Sequence, residues 1–160
     1  MDLQSDLPPL CVTCGVCCTD AFFRYSCVTP EESARIHSLG FPVEREDGRE
    51  IFSHPCTRLC GASCTVYEQR PATCREFRCT TLSALEEGAI DRPEADRRVS
   101  LLRAAVQAVR QLLPKEEKIW ALRARLYADP AAAPQTRLAL LSMDILADRY
   151  FKLKGRRFFS

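Results

Sequence analysis

No apolar run in this 160-residue chain approaches the roughly 18 residues that cross a bilayer, so no membrane is expected among its partners. The opening Met1-Asp2-Leu3-Gln4-Ser5-Asp6 is acidic and leads into Pro8-Pro9. It has neither the basic n-region nor the apolar h-region of a secretory signal. The expected compartment is therefore the cytoplasm, where thiols stay reduced. Glycine is scarce, at six residues, and no Gly-x-Gly-x-x-Gly or similar nucleotide loop occurs. Histidine is scarcer: His37 and His54 stand alone, so the His-x3–5-His half of a zinc finger is missing. A formal net charge of +2 gives no reason to expect nucleic acid as a partner. The remainder is 46% hydrophobic and 28% charged, a soluble globular composition long enough for one domain with a modest core.

Cysteine is the excess. All ten lie between Cys11 and Cys79, and residues 80–160 have none. A disulfide framework needs an oxidising compartment, and the missing export signal argues against one. Clustered thiols in a reducing compartment hold metal or do redox chemistry. Soft thiolates suit zinc and iron–sulfur clusters and disfavour magnesium and calcium. Cys11-x2-Cys14-Gly15-x-Cys17 has the spacing of the first three ligands of a ferredoxin loop, and Gly15 permits the positive φ that lets thiols converge. Cys18 directly follows Cys17 and departs from that pattern. The two side chains point different ways, so they serve two sites or leave one thiol spare. The spacing points to metal and leaves zinc and iron–sulfur both open. The second group is Cys56, Cys60, Cys64, Cys74 and Cys79. His54, two residues before Cys56, reads as a supporting or surface histidine. Arg24, Arg58, Arg70, Arg75 and Arg78 are near cysteines in sequence, where positive charge can tune thiolate ligands.

The expected fold is mainly α, with irregular metal-bound cysteine loops, one short β-hairpin and a C-terminal helical segment. Thr29-Pro30-Glu31-Glu32 starts a helix, with Thr29 as N-cap and Glu32 completing a capping box, and Gly40 stops it near Leu39. Residues 43–45 and 50–52 flank Asp47-Gly48 as a hairpin. Pro71 opens a helix to Cys79, with Cys74 in its first turn, where helix amides favour a thiolate. Helices are expected over 94–113, 115–128 and 134–153. Their core stripes would be Val99, Leu102, Val106, Val109 and Leu113, then Ile119, Leu122 and Leu126, then Leu138, Leu141, Ile145 and Tyr150. The end, Lys152 to Phe159, is basic and aromatic and reads as a solvated tail.

Cys11-x2-Cys14-Gly15-x-Cys17-Cys18, Cys56-x2-Leu59 and Cys64-Thr65-Val66-Tyr67-Glu68-x-Arg70-Pro71-x2-Cys74-Arg75-x-Phe77 together resemble the YkgJ-type cysteine-cluster family. Its domain, called CxxCxxCC, is described as zinc- or iron-chelating. The resemblance covers roughly residues 10–80. It implies metal ligands at Cys11, Cys14, Cys17, Cys18, Cys56, Cys64 and Cys74, with Cys79 as a common eighth. Cys27 and Cys60 fall outside the pattern and are expected as buried apolar thiols.

The expected domains are a chelating segment, 10–80, with a helical extension, 81–160, packed on it. The expected cofactor is an iron–sulfur cluster or zinc, with the first loop and the family favouring the cluster. The same domain is similar to the cysteine-rich part of bacterial flagellin lysine N-methylases, which use S-adenosylmethionine. A redox enzyme, or a protein-lysine methyltransferase of that kind, is the alternative, although this chain displays no site for the methyl donor. A further alternative gives the helical C-terminal region a protein partner.

Overall fold

A computed structural model describes residues 8–129 and 133–152. The chain order is α1 (Leu10–Cys14), β1 (Tyr25–Val28), α2 (Pro30–Ser38), β2 (Glu44–Glu46), β3 (Arg49–Ser53), β4 (Leu59–Cys60), β5 (Ser63–Cys64), α3 (Ala72–Glu76), α4 (Thr80–Glu86), α5 (Arg92–Gln111), α6 (Ile119–Ala128) and α7 (Pro134–Phe151). Short 3-10 turns cover Val16–Cys18 and Tyr67–Gln69. The fold is mainly α with small antiparallel sheets, as the sequence implies. Among the described residues no helix is long and apolar enough to cross a membrane. The tail beyond Lys152 is outside the described residues.

The hairpin forms where Asp47-Gly48 predicts it, with φ of 49° and 77° at the turn. Both signs are those of a type I′ turn. A third strand, not foreseen, completes the sheet in the order β1-β3-β2. In β1, Ser26 and Val28 are buried and Cys27 is exposed. Cys60 is exposed too, so neither extra cysteine is a buried thiol as expected. Strand alternation turns Cys27 outward.

Thr29 and Pro30 begin α2 as expected, but Thr29 makes no capping bond to the backbone. Glu32 accepts the Thr29 hydroxyl at 3.4 Å instead. Its carboxylate takes Arg35 at 3.0 Å and the amide of Ala72 at 3.1 Å, fastening α2 to the start of α3. The helix expected over 71–79 is two. It breaks at Phe77, whose extended backbone sends its ring edge-on against Phe23 at 5.7 Å. Cys79 then caps α4 by accepting the Leu82 amide at 3.4 Å.

Helix α6 starts at Ile119, later than expected, because Asp20 captures the Ile119 amide at 2.9 Å and terminates the preceding turn. Helix α7 shows the largest correction. Leu138, Leu141 and Ile145 are exposed at 66%, 42% and 65%, and the buried face is Leu140, Met143, Ala147 and Phe151. Helix α7 is apolar nearly all round, so periodicity alone could not choose its inner face. Packing against α5 does, and Ala147 permits close approach.

Two apolar cores result. The first joins Leu10, Val16, Phe22 and Phe23 to the inner faces of α5, α6 and α7. The second is Val28, Ile36, Phe41 and Phe52, between the sheet and α2.

Candidate metal centre

Helix α1 carries Cys11 and Cys14 three residues apart, hence on one face. Gly15 ends it at φ +63° and lies so close to the β4–β5 turn that a Cβ would meet the Ala62 oxygen at 2.5 Å. This reversal turns the chain into Val16–Cys18, which delivers Cys17 and Cys18. Cys56 follows β3, Cys64 is on β5, Cys74 is in the first turn of α3, and Cys79 precedes α4. All eight line one cavity of about 350 Å³, between the two cores. Cys27 and Cys60 do not line it. All ten are free thiols.

The cavity wall is apolar: Phe22, Phe23, Phe41, Phe52 and Phe77 contribute to it. That environment penalises a bare thiolate. Burial, with repulsion from Cys79 and Cys11, pushes the Cys14 thiol to about 11. Burial, with Cys74, Cys56 and Cys64 nearby, pushes Cys18 to about 12. Burial also holds Cys17 well above its ordinary range and raises Cys11, Cys56 and Cys79. Opposing this, amides donate to sulfur: Arg58 to Cys56 and Leu82 to Cys79, both at 3.4 Å. Such N–H···S bonds orient ligands and tune bound metal.

The raised thiols fix the sign of a pH effect. The folded metal-free chain holds these protons more tightly than the unfolded chain, whose thiols ionise near 9.0. Stability is therefore intact below about pH 9 and is lost as pH climbs through that value toward 12. Urea midpoints of oxygen-free, metal-free protein at pH 7, 8, 9 and 10 are expected to fall at the last steps. A flat series would contradict the buried placement.

His54 is buried against the cavity rather than at the surface. Its Nε2 is 2.9 Å from Ser26 Oγ, and Nδ1 is 3.4 Å from the Cys18 carbonyl. Arg70 and Arg78 line the cavity, and Arg70 stacks over Tyr67 at 3.7 Å. Arg58 lies near Cys56 without lining the cavity. Arg24 pairs with Glu46, and neither it nor Arg75 lines the cavity. The sequence reading missed Ser26 and the phenylalanine wall. Only the Phe22-Phe23 pair so soon after Cys18 hinted at it.

The profile of the CxxCxxCC family, described as "Putative zinc- or iron-chelating domain", matches residues 10–97. The chain belongs to this family. A curated relative, "Uncharacterized protein YkgJ" of Escherichia coli O157:H7, is 35% identical over 105 residues, covering 58% of this chain and 94% of the relative. No solved structure matches. The CxxCxxCC segment thus runs past Cys79 and ends within α5. Helices α6 and α7 are beyond it.

Proposed function

We propose that the protein binds iron as an iron–sulfur cluster, through thiolates of Cys11, Cys14, Cys17, Cys18, Cys56, Cys64, Cys74 and Cys79. The observation that carries this reading is the single cavity that gathers these eight cysteines and excludes Cys27 and Cys60. The size of the space supports a cluster over a lone zinc ion. Zinc holds thiolates at about 2.3 Å, which brings its four sulfurs within about 4 Å of one another. Among the described residues no three His, Cys, Asp or Glu side chains are close enough to hold one ion. The sulfurs stand instead around a void of about 350 Å³, more than ten times the roughly 30 Å³ share of one water. Thiolates spaced around such a void fit a group that brings its own bridging sulfide. When bound, the cluster would supply electron-transfer or Lewis-acid chemistry. The chain would supply the ligands, the N–H···S bonds to Cys56 and Cys79, and an aromatic wall beside the sulfurs. The first core, shared with α5 to α7, would hold the first cysteine loop in place.

The test is oxygen-free purification followed by iron, zinc, acid-labile sulfide and visible absorbance together. Iron with matching sulfide and a brown chromophore is expected. Colourless protein with stoichiometric zinc would replace the cluster by zinc, and metal-free folded protein would remove the metal reading. Cys14→Ser is expected to lower metal content while Cys27→Ser retains it. Equal content in the two variants would sink the ligand assignment.

A further inference from the structure

We propose that the eight cysteines are divided into two four-thiolate sets, Cys11, Cys14, Cys17 and Cys79 in one and Cys18, Cys56, Cys64 and Cys74 in the other, each holding its own metal centre. This rests on the metal-binding reading above and specifies how that site is built.

The division follows the two cores. Cys14, Cys17 and Cys79 pack against the first. Cys56 and Cys74 pack against the second. The boundary runs through the peptide between Cys17 and Cys18. Both residues lie in a 3-10 turn, where successive side chains diverge by about 120°. Val16, one step earlier, is buried in the first core. Cys18 is tied to the other side through its carbonyl, which accepts the Cys56 amide at 2.7 Å and lies beside His54.

The remaining members follow from local geometry. Cys11 is one helical turn before Cys14 on α1. Cys64 sits opposite Leu59 in the β4–β5 ladder, and the Leu59 amide bonds the Cys56 carbonyl at 3.1 Å, so the hairpin returns Cys64 toward Cys56. Four thiolates complete either a tetrahedral zinc or a four-iron cluster. Eight complete two such centres and leave no cavity thiol over.

Metal and sulfide per chain are to be measured in the wild type, Cys14→Ser, Cys74→Ser and the double variant, with circular dichroism to confirm retained helix. Each single variant is expected to keep about half of the wild-type metal, as loss of one of two centres requires, and the double variant none. A second measurement avoids substitution. Wild-type protein is stripped in graded steps by a chelator, its released thiols are alkylated, and the modified cysteines are located by mass spectrometry. Cys17 should become reactive together with Cys11, Cys14 and Cys79, and Cys18 together with Cys56, Cys64 and Cys74. Release of all eight as one pool, or a folded single variant with no metal, would overturn the division alone. Wild-type protein that binds no metal would overturn the parent reading.

Discussion

Gly15→Ala is expected to destabilise the protein by at least about 3 kcal/mol and to lower its metal content. A non-glycine residue at φ +63° costs about 1–2 kcal/mol by itself. The added methyl would also meet the backbone of Ala62 at 2.5 to 2.9 Å. That neighbour is main chain between Cys60 and Cys64, so it cannot swing aside as a side chain would. Relief requires the α1 end to part from the β4–β5 hairpin, which moves Cys14 and Cys17 away from Cys64. Gly61→Ala is the control. Gly61 has nearly the same φ, +61°, and nothing within 4 Å of its Cβ position, so only the conformational cost of about 1–2 kcal/mol applies. Urea midpoints and metal analysis on both variants decide the matter. Equal losses would show that the contact with Ala62 carries no weight.

Asp20→Ala is expected to cost about 2–3 kcal/mol, the scale of charge-assisted hydrogen bonds lost at a buried carboxylate, since its partner Arg110 is 30% exposed. Asp20 is 6% exposed. Its oxygens accept Arg110 Nη2 at 2.7 and 2.6 Å and the Ile119 amide at 2.9 Å. Truncation leaves a buried amide at the start of α6 without its acceptor, while Arg110 keeps its bond to the Glu117 carbonyl at 2.7 Å. Because Asp20 follows Cys18 by two residues, the loss joins the cysteine loop to the helical segment energetically. Arg24→Ala is the comparison. Arg24 pairs with Glu46 at 50% side-chain exposure, and such surface pairs contribute about 0–1 kcal/mol. Thermal melts followed by helix signal should fall sharply for Asp20→Ala and little for Arg24→Ala. If both left the midpoint unchanged, the helices and the cysteine loop would be energetically independent.

Much of the molecule could be read without coordinates where the signal is local. Pro30 placed α2, Asp47-Gly48 placed the hairpin, and the family motif, rather than spacing alone, marked eight of the ten thiols. These features depend on φ restriction, turn sign and short loops, all written within a few residues. Strand β1 was missed because a four-residue alternation is weak until a partner strand gives it a ladder. The helix expected over 71–79 was too long because nothing local announces that Phe77 will leave it for Phe23. The capping box at Thr29 is incomplete: the Thr29 side chain caps no backbone amide, and the Glu32 carboxylate meets the Thr29 hydroxyl, Arg35 and the distant Ala72 amide.

The sequence by itself determined a mainly α protein of the CxxCxxCC family and the turn at Gly15, because helix periodicity, cysteine spacing and backbone sign are local. Tertiary structure alone decided which face of α7 is buried, where α6 begins, that Cys27 and Cys60 stay outside the cavity, and that Cys14, Cys17 and Cys79 pack on the first core and Cys56 and Cys74 on the second. Those outcomes depend on contacts between segments up to 99 residues apart, such as Asp20 with Ile119. A contact of that range leaves no mark on the local pattern of either partner.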